Sequence, residues 1–249
     1  MASETLVACL KEDVFVDKAS KILRIAFVAA GEVLTCATII FLLNSGDSER
    51  LLLAFVTLLL VLIPGILERL LRCRICTPVY LFAVAYALGP MMGHCWKFYY
   101  TIPCWDRLLH FCGGVTFAIL GMYLFERFLC EEAKPAAAII FALCFSIAIS
   151  AVWEFVEYGA DLFLGMDMQD DTLVNCINSY MLGAEKGVTG SIDNIYSVTV
   201  NGKPLPVNGY IDIGLHDTML DMIVESLGAI AICILLFIDK AKHKLIKTI

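Results

Sequence analysis

The chain has 249 residues, 60% of them hydrophobic and only 17% charged, with a mean hydropathy of +0.81 and a formal net charge of −7. Soluble domains carry roughly 25% charged residues, and no basic stripe interleaved with aromatics is present. A soluble domain and a nucleic-acid-binding surface are therefore both excluded. Several apolar runs approach the roughly 20 residues that cross a bilayer, which predicts a polytopic membrane protein whose spans are helical, because helices satisfy their own backbone groups in lipid.

Residues 1–20 form a polar, acidic lead without the character of a signal peptide. The first span runs from about Ile22 to Leu43 and carries one acid, Glu32. Asn44 to Ser48 is a turn signal. The second span, about Leu51 to Leu67, leads into a basic loop with Cys73-x-x-Cys76, a lone pair that is weak evidence for a metal or redox site. The third span, about Pro78 to Met92, is short. The aromatic cluster from His94 to Tyr100 that follows suits a lipid–water interface. Cys95 and Cys104 share one short loop, where a disulfide and two free thiols are both open.

The fourth span runs from Trp105 to Phe125. The fifth starts at Pro135, in the favoured first helical position, and reaches about Tyr158. The polar segment 162–216 contains an alternating stretch around Asn201-Gly202 that predicts a small β-hairpin. The sixth span, about Asp217 to Ile238, precedes a basic tail, 239–249. The expected fold is an all-α integral membrane protein, a bundle of about six transmembrane helices. Spans one to five occupy 21–161 and span six 217–238. With the N-terminus inside, 13 lysines and arginines fall on the inner side and 5 on the outer. That asymmetry predicts cytoplasmic termini and an extracytoplasmic 162–216 segment.

Under this topology three polar stripes reach one level. Asp106 and His110 are an i, i+4 pair at the outer start of the fourth span. Glu154, Glu157 and Asp161 share one face of the fifth. Pro135 to Glu154 is 19 residues, roughly 28 Å of helix, so Glu154 is expected near the outer boundary. Asp217, Asp221 and Glu225 follow at i, i+4 and i+8 at the outer start of the sixth. Intramembrane acids are costly and functional by default. Carboxylates gathered with one imidazole repel unless protonated or bridged by a cation. Oxygen-rich ligands with one histidine suit Mg²⁺, Mn²⁺, Ca²⁺ or Zn²⁺.

Asp106, His110, Glu154, Glu157 and Asp221 are the candidate metal ligands, and with Asp217 the candidate catalytic residues. Arg107, Asp161, Gln169 and Asp170 are the candidate substrate-binding residues. Against this stands a scaffold reading in which the pairs are interhelical glue and Asp106 and Asp217 are helix caps.

The stretch from Trp105 to Gly114, with Asp106, Arg107, His110, Phe111 and the glycine pair, resembles the aromatic-D-[RK]-x-x-HF-x-x-G signature of the YjdF-type family of bacterial inner-membrane proteins, part of a VanZ-like set. Trp153-Glu154 with Glu157-Tyr158 is similar to that family's W-E-x-x-E-[WY]. Leu164-Gly165 with Gln169 and Asp171 resembles its L-G-x-x-x-Q-x-D, and Asp217-Thr218 with Asp221-Met222 and Gly228-Ala229 its D-T-x-x-D-M … G-A. About forty inserted residues separate the last two motifs. The resemblance covers about Pro78 to Leu236 and implies a multi-pass protein of the bacterial cytoplasmic (inner) membrane. It implies no reaction.

The leading expectation is an outward-facing acidic site between spans four, five and six. It would serve a metal-dependent hydrolase or transferase whose partner is a membrane lipid or lipid-linked small molecule. The alternatives are a proton- or cation-coupled transporter and a non-catalytic lipid-precursor-binding envelope or resistance factor. No inverted repeat or pair of broken spans of the transporter kind is visible.

Overall fold

The computed structural model describes residues 18–128, 135–238 and 246–248. The acidic lead up to Asp17, Lys134 and the tail lysines at 240, 242 and 244 lie outside the described residues. The helices are α1 (Lys18–Ser45), α2 (Ser48–Leu70), α3 (Thr77–Cys95), the single turn α4 (Phe98–Thr101), α5 (Trp105–Phe128), α6 (Pro135–Leu164) and α7 (Leu215–Ile238). The strands are β1 (Cys73–Ile75), β2 (Thr172–Val174), β3 (Ile177–Ser179), β4 (Gly190–Ile192), β5 (Thr199–Val200), β6 (Lys203–Pro204), β7 (Tyr210–Asp212) and β8 (Ile246–Thr248).

Five helices are long and apolar enough to cross a membrane by length and composition: Lys18–Ser45, Arg50–Leu70, Trp105–Phe125, Ala136–Leu164 and Leu215–Phe237. The chain is thus a mostly helical, multi-pass integral membrane protein with small two-stranded sheets. Large apolar side chains such as Ile25, Ile40, Phe41, Leu52 and Leu59 stand exposed on α1 and α2, as a face that meets hydrocarbon requires.

The expected third span forms a helix, α3, of 19 residues, outside the five that length and composition select. α3 packs against α1, α2 and α5 and buries Tyr80, Val84, Leu88, Gly89, Met91, Gly93 and Cys95. A helix walled by protein can carry tyrosines, His94 and Pro90 that a lipid-facing helix would not. At Gly31 of α1 a methyl would meet Leu88 at 3.5 Å and Val61 at 3.6 Å, ordinary contact distances, so side chains of α2 and α3 meet α1 there without depending on the glycine.

By its contacts the chain divides into two compact units, one made of the residues up to Ser150 with those from Val224, the other of Ala151–Ile223. The first is tied together at one end by a buried cation. Arg24 of α1 donates Nε to Thr77 Oγ1 at 3.0 Å and Nη1 to Glu68 Oε1 at 2.9 Å, and a second Nη2 bond to the Ile75 carbonyl reaches β1. Its guanidinium also lies 4.8 Å from the Tyr80 ring centroid. The Ile75 amide donates to the same Glu68 oxygen at 2.8 Å. One side chain thus fastens α1, α2, β1 and α3. At the far end of α1, Trp96 donates its indole N–H to Thr38 at 3.2 Å. Cys95 and Cys104 are free thiols, the former buried and the latter exposed, so no disulfide joins them.

The second unit is a set of short antiparallel ribbons: β2 with β7, β3 with β4, and β5 with β6. The β5–β6 pair is the expected hairpin. Asn201 and Gly202 take φ of +50° and +76° at its tip, the left-handed pair that a type I′ turn needs and that Asn-Gly supplies most easily.

The Arg24 network makes a stability prediction. Removing one partner of a buried ion pair strands the other and typically costs roughly 3–5 kcal/mol. Glu68→Ala should therefore lower the melting temperature in detergent strongly. The double change Arg24→Leu with Glu68→Leu should cost less than Glu68→Ala alone. If Glu68→Ala melts with the native protein, Arg24 is not held in this way.

Candidate functional site

The first turn of α5 is fixed by Trp105, whose indole N–H donates to the Gly89 carbonyl of α3 at 3.3 Å. Asp106 sits in that turn, where the helix dipole favours a negative charge. One turn on, His110 is buried, with 7% of its side chain exposed. Its Nε2 lies 3.7 Å from Asp106 Oδ1 and its Nδ1 3.8 Å from Glu225 Oε2 of α7. Both distances exceed a hydrogen bond. The imidazole stands between two carboxylates at charge-contact range.

Missing side chains bring Glu225 there. A methyl on Gly114 would lie 1.9 Å from the Glu225 carbonyl oxygen, and one on Gly228 would lie 2.2 Å from the Phe111 carbonyl oxygen. The backbones of α5 and α7 therefore approach through reciprocal glycines, the close-packing mode that small residues allow between membrane helices. Gly113 keeps room beside them, since a methyl there would meet the Tyr86 hydroxyl at 2.8 Å and Glu225 Cδ at 3.7 Å. From α6, Ser146 donates its hydroxyl to the Gly114 carbonyl at 3.2 Å. Glu225 is 3% exposed, and among the described residues its Oε1 makes no hydrogen bond.

Asp221 lies one helical turn before Glu225 on α7 and is 1% exposed. Asp106, His110 and Asp221 each offer one ligand atom, and these atoms lie within 4.8 Å of one another. Metal–oxygen and metal–nitrogen bonds of about 2.0–2.2 Å let two ligand atoms stand at most about 4.4 Å apart. Three ligand atoms around one ion stand at most about 3.8 Å apart in each pair, so the group would draw in by up to about 1 Å to close on one ion.

The other expected site residues fall as follows. Glu154 and Glu157 are buried on α6, at 4% and 7%, and Glu157 Oε1 accepts the Trp153 indole N–H at 2.8 Å. Asp161 uses both carboxylate oxygens to accept main-chain N–H groups, Met168 at 2.6 Å and Gln169 at 2.9 Å. The Gln169 amide in turn donates to Thr218 of α7, and Gly214 leaves space for the Gln169 side chain. Within the second unit these bonds staple the end of α6, the 168–169 stretch and the start of α7. Arg107 and Asp170 are exposed and Asp217 is partly exposed.

Two residues were not singled out as site residues from the sequence alone. Glu225 was visible as the third member of the 217, 221, 225 series, but nothing in the spacing ranked it above the other two. Tyr86 has no signal, because a second tyrosine in an apolar helix that already holds Tyr80 reads as packing. In the loop after α6, partial burial, then Asp171 and Asp161, pushes the Asp167 carboxyl above the usual aspartate range.

Residues 26–242 match the model of a family described as predicted membrane protein (DUF2238). No curated protein and no solved structure matches the chain.

Forcing atoms into a closed packing typically costs roughly 1–3 kcal/mol, so Gly114→Ala and Gly228→Ala should each lower the melting temperature. Gly113→Ala should do less, since a tyrosine hydroxyl can move where a carbonyl cannot. Equal melting of all three would remove the close α5–α7 approach. A carboxylate with a raised folded-state pKa favours the fold only while protonated, and that contribution is lost as pH rises through the folded value. Asp167→Asn should accordingly raise the melting temperature at pH 7. The gain should shrink as pH falls through the ordinary aspartate range, and a constant gain from pH 4 to 8 would refute the account.

Proposed function

The chain belongs to the DUF2238 family of predicted membrane proteins, and from that premise we propose that it binds a divalent cation through Asp106, His110 and Asp221 and uses it on the polar head of a membrane lipid or lipid-linked molecule. The observation that carries this reading is the convergence of one imidazole and two carboxylates, two of the three fully buried, within 4.8 Å. Two carboxylates and a histidine suit Mn²⁺ or Zn²⁺ better than Ca²⁺, which prefers six to eight oxygens.

The roles follow from which atom faces which. His110 turns Nε2 towards Asp106 and Nδ1 towards Glu225. Nε2 is then the ligand atom, and Glu225 takes the outer place of a carboxylate–histidine–metal arrangement that fixes the ring's tautomer and orientation. The bound cation would polarise a phosphoryl or acyl oxygen. A neighbouring carboxylate would move the proton of the attacking group. Because the ligands lie on membrane-crossing helices, a substrate presented from the lipid side fits better than a soluble one. The resemblance of the same motifs to the YjdF-type, VanZ-like set favours the bacterial inner membrane, and the lysine and arginine asymmetry favours an outward-facing site.

A second reading, proton- or cation-coupled transport, draws on the buried Glu225 oxygen that lacks a hydrogen bond. A histidine between two carboxylates can also load and release a proton.

Metal analysis of protein purified without chelator should find about one equivalent of cation in the native chain. Asp106→Asn and Asp221→Asn should reduce it together, and Glu225→Gln should weaken retention by roughly 10–100-fold, as loss of an outer partner does. Native protein that holds no metal and gains no thermal stability from added Mn²⁺ or Zn²⁺ would defeat the proposal. Proton uptake into proteoliposomes that Glu225→Gln abolishes would establish the second reading in its place.

A further inference from the structure

A cavity of about 660 Å³ opens where α1, the end of α2 and β1 meet. It lies entirely within the first unit and shares no residue with the His110 site. Five cationic residues line it, Lys21, Arg24, Arg69, Arg72 and Arg74, against one carboxylate, Glu68. That carboxylate is already engaged by Arg24 and the Ile75 amide, and Arg24 is engaged by Glu68, Thr77 and the Ile75 carbonyl.

The remaining four cations have no such answer. Lys21, Arg69, Arg72 and Arg74 are all exposed, and none forms an ion pair with a described residue. The helix dipole at the end of α2 accounts for Arg69 alone. Arg72 is held at φ of +48°, a left-handed conformation that a non-glycine residue adopts only where its surroundings impose it. Gathered like charges of this kind call for an anion, and guanidinium groups match phosphate in a two-pronged geometry that ammonium groups do not.

The walls say what carries the anion. Ile25, Leu62 and Ile66 also line the cavity, all three are exposed, and all three belong to helices apolar enough to cross a membrane. Charge at the rim and hydrocarbon below match a molecule with a phosphate head and acyl chains. Basic recesses between membrane helices are a recognised setting for anionic headgroups. We propose that this cavity binds an anionic phospholipid, its phosphate held by Arg69, Arg72 and Arg74 and its chains laid along Ile25, Leu62 and Ile66.

The test uses the full chain in detergent, titrated separately with dioleoylphosphatidylglycerol, dioleoylphosphatidylcholine and inorganic phosphate, and read by native mass spectrometry and thermal shift. The anionic lipid should bind at least tenfold more tightly than the zwitterionic one, and 0.5 M salt should narrow the gap because exposed charges are screened. Inorganic phosphate should compete only weakly. The triple change Arg69→Gln, Arg72→Gln, Arg74→Gln should abolish the preference while the lipid-free melting temperature stays close to native, since these side chains are exposed. If the triple variant does not fold, the pair Lys21→Gln with Arg69→Gln should still halve the preference or more. Equal binding of the two lipids, or a preference that survives the triple change, would overturn the proposal. Inorganic phosphate competing as tightly as the anionic lipid would leave an anion site but refute the acyl-chain assignment.

Discussion

The candidate site depends on one contact: two helix backbones approach so closely that neither Gly114 nor Gly228 could carry a methyl group. In water, apolar side chains drive helices together. In lipid that force is absent, because a leucine gains nothing by leaving one hydrocarbon for another. Helices then associate through close van der Waals fit and a few polar bonds, and glycine is the residue that lets backbone meet backbone. The Ser146 bond to the Gly114 carbonyl secures α5 at the same level from α6. With α5 and α7 locked there, Glu225 cannot avoid His110. The charged groups meet because uncharged ones are missing.

Two buried charge clusters in this chain are solved in opposite ways. Arg24 is met on every side, by Glu68, Thr77, the Ile75 carbonyl and the Tyr80 ring. A cation so fully satisfied has no capacity left for a ligand, and its work is to fasten three helices. At His110 the Asp106 and Glu225 carboxylates stand 3.7 and 3.8 Å from the ring nitrogens, and one Glu225 oxygen has no hydrogen bond among the described residues. An unsatisfied buried carboxylate oxygen typically costs more than the roughly 1–3 kcal/mol of a neutral group. The contrast between the two clusters, rather than the mere presence of acids, separates scaffold from site.

Much of this was legible in the sequence, for reasons that differ by element. The long spans were plain because hydropathy over twenty residues is a bulk property. The hairpin at Asn201-Gly202 was plain because few dipeptides accept two left-handed residues in a row. Asp106 and His110 were plain because four residues make one helical turn. α3 has an apolar run that reads as a span, and its tyrosines and prolines reflect a wall of protein that only packing reveals. Asp161 and Gln169 read as ligands of a substrate, and the structure shows them in a local staple with Met168, Gln169 and Thr218. A side chain's partners among its own loop's amides leave no mark in spacing. The basic cavity was equally hidden, because its cations come from positions 21, 24, 69, 72 and 74 and only folding gathers them.

The residue types at the His110 cluster carry a last argument about purpose. If α5 and α7 needed only polar glue, serine, asparagine or glutamine would supply hydrogen bonds at a small desolvation cost, as Ser146 does a turn away. Ionisable groups are the expensive choice in hydrocarbon, by a few kcal/mol each at a helix centre. Asp106, His110, Asp221 and Glu225 together add affinity for a positive charge and a range of protonation states, which neutral side chains cannot offer. Both gains are useful only if something charged arrives. The glycine-locked backbones then make sense as the rigid mount such a site needs, since a ligand set must be held to a few tenths of an ångström to favour one cation over water.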